Sequence, residues 1–143
     1  MEDNLATVEH AMVEIRRRQT RRALARTAPA HDPAAFDVLD VIEAAERTDQ
    51  PATVTTVATD LAVDQPRASK LVARAVTAGL VERIADQQDG RRAFLRRTDA
   101  GRDASAQVHA TRQKAFDQAM HDWTDAERAE FARLVLQFAN ALP

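Results

Sequence analysis

VTTVATDLAVDQPRASKLVARAVTAGLVERIADQQDGRRAFLRRTDAGR, residues 54–102, is the stretch whose reading decides the fold. Its first eight residues set Val54, Val57, Ala58 and Leu61 at helical spacing, which predicts a short helix over 54–61 with one buried face. Asp64 followed by Pro66 predicts a second helix from 65 to about 78. The carboxylate can accept a first-turn N–H, and a proline in that turn loses no intrahelical bond. Leu71, Val72, Ala75 and Val76 make its apolar side. Gly79 suits the left-handed position just past a helix, and Leu80 can then fold back on the last turn. Two helices joined by a tight turn form a helix-turn-helix.

Directly after it, 80–85 and 92–98 can pair as antiparallel strands around the loop 86–91, where Gly90 is expected to supply a positive φ. A helix-turn-helix followed by such a hairpin is a winged helix-turn-helix, a unit that reads duplex DNA. Further along, Thr98 caps a long helix to about residue 121, with Val108, Ala115, Phe116 and Met120 on one face. Thr124 and Glu127 form a capping box opening a last helix striped by Phe131, Leu134, Val135, Phe138 and Leu142. Trp123 is expected to staple that helix start. Upstream, Leu5, Val8, Met12 and Ile15, followed by Ala23 and Leu24, predict a helix over 4–27, which Pro29 and Pro33 break. Asp32 before Pro33 caps another helix, about 33–47, turning Phe36, Val38, Leu39, Val41 and Ile42 inward; Thr48 to Pro51 make a turn.

The fold class is therefore mainly α (α+β), a winged helix-turn-helix with N- and C-terminal dimerisation helices. The 143 residues form a single domain, 1–143. Residues 33–98 are the winged-helix lobe, and 1–28 plus 99–143 are the dimerisation helices. Apolar stripes on the terminal helices cannot bury themselves on so small a lobe, so they are expected to associate across a two-fold axis.

Charge points the same way. The chain carries a net charge of −2, yet residues 64–102 hold nine basic against five acidic residues while the remainder holds eleven against seventeen. A basic stripe on an acidic body is the mark of a localised phosphate-facing surface. Eighteen of the twenty basic residues are arginine, the better fork for phosphates and guanine edges. Gln65, Pro66, Arg67, Ser69, Lys70 and Arg74 line the exposed face of the 65–78 helix, whose N-terminal half would enter a major groove. Arg91 and Arg92 stand at the hairpin tip, where a guanidinium can enter a narrow minor groove. Asp86, Asp89 and Gly90 are the expected wing support, a carboxylate holding the guanidinium in place.

Other chemistries find few residues. Without cysteine there are no disulfides, thiolate metal sites or thiol redox sensing. Two serines, no tyrosine and three glycines (79, 90 and 101) leave no nucleophilic constellation and no phosphate-cradling loop, and the glycines are accounted for by caps and turns. Asp117 and His121 have helical ligand spacing but no further ligands, and read as a surface pair. No metal, no cofactor and no enzymatic activity are expected. No apolar run reaches membrane-spanning length, and the acidic start is not that of a signal peptide, so no membrane partner and a cytoplasmic location are expected. The run Arg16, Arg17, Arg18, Arg21 and Arg22 reads as a solvated surface, with anion binding as the second reading.

Asp86, Asp89-Gly90-Arg91 and Thr98-Asp-Ala-Gly101-Arg102, together with the ending from Thr124 to Val135, resemble the MarR family of transcription regulators, and the likeness runs over essentially the whole chain. It implies a ligand-responsive repressor that binds double-stranded DNA, at an inverted-repeat operator, as a homodimer. By the same resemblance Arg91 is the minor-groove arginine and Gln65 to Lys70 are the major-groove readers. A small anionic aromatic effector is implied too, its carboxylate paired by an arginine of the 16–22 run. One residue departs from the pattern: the position before Thr98, commonly apolar in the family, is Arg97. That leaves open either altered packing of the second strand or one more phosphate contact. The alternative reading is a winged-helix protein-interaction module without DNA binding, which predicts a neutral or acidic recognition helix and wing.

Overall fold

Each helix start in the lobe is fixed by a side chain next to it in sequence. The computed structural model describes residues 3–20 and 32–143, in the order α1 (Asn4–Thr20), α2 (Pro33–Arg47), α3 (Val54–Leu61), α4 (Gln65–Thr77), β1 (Val81–Ala85), β2 (Ala93–Arg97), α5 (Asp99–Ala119) and α6 (Asp125–Ala141). The expected helix at 4–27 is observed to Thr20; its remainder, with Arg21, Arg22 and Pro29, lies outside the described residues. Asp32 accepts the Ala34 N–H ahead of α2, with Pro33 in the first turn. Asp64 accepts the Arg67 N–H at 2.8 Å ahead of α4. Thr53 and Thr56 form a reciprocal capping box on α3, a threonine variant that the sequence reading did not pick out.

α4 ends as its glycine requires. Gly79 has φ +78°, its N–H donates to the Val76 carbonyl, and the Leu80 N–H reaches back to Ala75 at 3.1 Å. This is a Schellman end, which satisfies two terminal carbonyls and swings Leu80 into the core. α3 ends in the same left-handed backbone with Ala62 (φ +54°), where a side chain is costlier than in glycine.

The core fills the space between α2, α3, α4, the sheet and the first half of α5. Leu39, Ile42, Val57, Val72, Leu80 and Val81 are almost completely enclosed. β1 and β2 pair antiparallel in a register running from Val81↔Arg97 to Ala85↔Ala93. A further backbone bond, Leu95 N–H to the Ala52 carbonyl at 2.8 Å, ties β2 to the segment before α3. Thr98 joins the sheet to α5: its hydroxyl donates to the Gly79 carbonyl (2.6 Å) and accepts the Gly101 N–H (3.0 Å).

Two glycine expectations need correcting. Gly90 is not in the left-handed region. The hairpin loop is shaped by two aspartates instead: Asp86 accepts the Gln88 N–H and Asp89 the Arg91 N–H, while the Asp89 carbonyl accepts the Arg92 N–H. Such side-chain-closed turns need no positive φ. Gly101 serves neither a cap nor a turn. It lies in the first turn of α5, where a Cβ would overlap the Leu80 carbonyl oxygen and press on Leu39.

The chain divides into two compact units, Met1–Thr111 and Arg112–Pro143. In the second, Thr124 and Glu127 complete the capping box of α6. Trp123, just ahead of that cap, packs edge-on against Phe131 of α6, with ring centroids 5.2 Å apart. Arg128 donates to the Met120 carbonyl at 2.7 Å and to the Asp117 carboxylate at 2.7 Å, closing the C-terminal end of α5. α6 itself buries no residue, and Phe131, Leu134, Val135, Phe138 and Leu142 stand exposed along it. In α1, Leu5, Val8, Met12 and Ile15 are exposed likewise. Among the described residues no helix is long and apolar enough to cross a membrane.

Candidate nucleic-acid interface

The exposed side of α4 is set by its buried side. Ala68, Leu71, Val72 and Ala75 turn into the core, which leaves Gln65, Pro66, Arg67, Ser69, Lys70 and Arg74 outward. Helical spacing lines up Arg67, Lys70 and Arg74 three and four residues apart. Their circumstances differ. Arg74 forms an ion pair with Asp32, the capping residue of α2. Gln65 donates weakly to the Thr55 hydroxyl of α3, at 3.4 Å. Arg67 and Lys70 have no ion pair among the described residues.

The hairpin tip shows the same division. Arg91 is exposed, with no ion pair among the described residues. Arg92 lays its guanidinium over the Phe94 ring, 5.9 Å from the centroid, a cation–π placement. Among the described residues neither arginine forms an ion pair with Asp86 or Asp89, whose carboxylates each accept a backbone N–H of the loop through one oxygen. The aspartates thus shape the loop.

At the base of the hairpin the arginines are engaged. Arg96 pairs with its cross-strand neighbour Glu82, with Nε 2.6 Å from the carboxylate. Arg102 pairs with Asp99 and also donates to the Arg97 carbonyl at 2.9 Å. Arg97, the residue that departs from the resemblance, turns inward rather than toward phosphate. It reaches Glu43 at 3.2 Å and Glu46 at 2.6 Å on α2. His109 of α5 places Nε2 2.8 Å from each oxygen of that same Glu43. Burial raises the Glu43 pKa, but the His109 hydrogen bond and the charges of His109, Arg97 and Arg47 outweigh it and hold the carboxyl below its usual range. No local sequence signal joins residues 43, 97 and 109.

Elsewhere the sequence candidates are occupied or apart. Asp117 is held by Arg128, and His121 sits beside Asp122. Among the described residues no group of side chains could hold a metal ion. In α1, Arg18 pairs with Glu14 at 3.0 Å.

The comparisons with known proteins bear on the whole arrangement. A model of the MarR family matches residues 32–92. Among solved structures, a MarR family protein from Bacillus stearothermophilus is 20% identical, covering 98% of this chain and 96% of that one, with a TM-score of 0.78. A mutant of MarR from E. coli is 22% identical, over 97% of this chain and 98% of that one, with a TM-score of 0.71. The PcaV transcriptional regulator from Streptomyces coelicolor, solved in complex with its natural ligand, is 24% identical, over 99% and 98%, with a TM-score of 0.63. No curated protein matches the chain. The fold is mainly helical with a small antiparallel two-stranded sheet, the winged-helix fold of these structures, and residues 32–92 match the model of the MarR family.

Proposed function

We propose that the chain is a sequence-specific, DNA-binding transcription regulator that works as a homodimer on an inverted-repeat operator. One observation carries this reading. Among the basic residues of the winged helix, those at the C-terminal half of α4 and at the hairpin base are tied to carboxylates. Arg67 and Lys70 near the N-terminus of α4, and Arg91 at the tip, are exposed and unpaired among the described residues. Cations left without partners at the two places that face the grooves are available to phosphates and base edges. Arg83 on β1 likewise has no ion pair among the described residues. A protein-interaction module without DNA binding has no need of that arrangement.

In this reading Gln65, Arg67, Ser69 and Lys70 read the major groove with Pro66 starting the helix, and Arg91 enters the minor groove with Arg92 beside it. Arg74 contributes to the field and holds α4 to Asp32. The exposed apolar faces of α1 and α6 supply the contact between two copies, so that two recognition helices address half-sites about one helical turn apart. A small effector that prefers the dimer in a geometry unsuited to DNA lowers operator affinity by linkage, which makes the protein a ligand-responsive repressor. PcaV, solved with its natural ligand, is a structural relative in which a ligand is bound. A cytoplasmic location and the absence of catalytic activity go with this role.

Selection of bound duplexes from a random DNA pool tests it. Enrichment of an inverted repeat supports the reading, and no enrichment over the input pool contradicts it. On the selected duplex, Arg67→Ala should lose discrimination at particular base pairs by about 1–3 kcal/mol. Arg91→Ala should weaken binding to all sequences alike.

A further inference from the structure

Arg97 occupies the junction of β2 and α5, and its side chain is only 13% exposed. Its Nη1 lies 3.2 Å from Glu43, and its Nε and Nη2 lie 3.3 and 2.6 Å from the two oxygens of Glu46. Glu43 also receives His109 from α5 at 2.8 Å and Arg47 from its own helix at 3.3 Å. A strand of the hairpin is thus gripped by two carboxylates of α2, at a place too enclosed and too acidic to touch DNA.

We propose that Arg97 is the positioning residue of the wing: its hold on Glu43 and Glu46 fixes the angle at which the hairpin leaves the lobe, and so where Arg91 meets the DNA. This rests on the DNA-binding reading given above. The sheet meets the lobe through the Leu95 N–H bond to the Ala52 carbonyl and through the buried side chains of Val81 and Leu95. Apolar contacts hold a small sheet against the core but are non-directional, whereas charge-assisted hydrogen bonds to a different element fix its angle. Arg97 supplies that directional attachment, to α2. The lever is long: from residue 97 to the tip at residue 91 is about 20 Å at roughly 3.3 Å per residue. A rotation of about 10° at the base therefore moves the tip by about 3.5 Å, more than the span over which a hydrogen bond holds. Glu43 and Glu46 act on DNA binding through this geometry, without contact.

A double-mutant cycle between residues 97 and 91 separates positioning from general stability. Operator affinity is measured by fluorescence anisotropy for the wild type, Arg97→Met, Arg91→Ala and the double variant, with unfolding midpoints alongside. Each single substitution is expected to weaken binding about tenfold, and the double variant by about tenfold as well. Once the tip is misplaced, Arg91 has no contact left to lose. Independent action would instead give about a hundredfold loss in the double variant, and that result, or an unchanged affinity in Arg97→Met, overturns the proposal. If Arg97→Met does not fold, Glu46→Gln takes its place, because it weakens the grip at a carboxylate that is 40% exposed and is expected to show the same non-additivity at smaller size. A wild-type protein that binds no duplex removes the functional reading and this inference together; a binding wild type with an additive cycle removes the inference alone.

Discussion

Replacing Gly101 by alanine sets two physical effects against each other with opposite signs. By helix propensity alone, alanine in α5 should stabilise the protein by up to about 1 kcal/mol. The structure opposes this, because the new Cβ would overlap the Leu80 carbonyl oxygen and lie 3.3 Å from Leu39 Cδ2. Neither neighbour can yield cheaply. Leu80 is held by its N–H to Ala75 and by its carbonyl to the Thr98 N–H, and its side chain is enclosed. Overpacking against fixed atoms costs about 1–3 kcal/mol, here at the upper end because the obstacle is backbone. Displacing the Leu80 carbonyl also loses the Thr98 bond, about 1 kcal/mol. The net expectation is a loss of about 3 kcal/mol. Urea unfolding at fixed protein concentration reads it, since association of copies would otherwise shift the midpoint. With a slope of about 2 kcal/mol per molar, the midpoint should fall by about 1.5 M at unchanged slope. An unchanged or higher midpoint would refute the argument, because propensity would then have outweighed the contact.

Three further outcomes follow from particular residues. Ala62→Gly should raise stability by about 0.5–1 kcal/mol, since Ala62 holds a left-handed backbone that glycine adopts without strain; a lower melting temperature would contradict this. Glu43 has a carboxyl pKa held below its usual range, so its contribution is complete above that range and is lost as pH falls through the folded-state value. Glu43→Gln should therefore cost stability at neutral pH and progressively less in acid, and equal melting-temperature losses at about pH 7 and pH 3 would contradict the linkage. Phe138→Glu, on the exposed face of α6, should convert dimers to monomers in sedimentation while leaving the helical circular dichroism signal unchanged; an unshifted sedimentation coefficient would mean that this face is not the contact.

The sequence makes the caps and turns legible because their causes are local. Asp32, Asp64, Thr98 and Thr124 each bond a backbone N–H within three residues, and Gly79 sits where its own helix ends. The core faces of α2 and α4 follow from periodicity for the same reason. What escaped is set by partners far along the chain or by a choice among equivalent local solutions. Arg97 meets residues more than fifty positions away, and no pattern near 97 distinguishes an inward arginine from a phosphate contact. Gly101 is explained by Leu80, which only the packing of α5 on the Schellman corner brings to it. The hairpin loop could have closed through Gly90 or through its aspartates, and the side-chain route prevailed. At the candidate interface, the exposure of Arg67, Lys70 and Arg91 follows from helix phase and loop position, whereas the capture of Arg74 by Asp32 depends on how α2 and α4 pack.

The salt dependence of affinity for the selected duplex tests the central claim most directly. In the proposed dimer, two copies of Arg67, Lys70 and Arg91, which have no ion pair among the described residues, displace about six counterions and give a log–log slope of about −5. A slope near that value, reduced by about two in dimeric Arg91→Ala, is the expected result. Binding that does not respond to salt, or a slope unaffected by the loss of Arg91, would contradict the account.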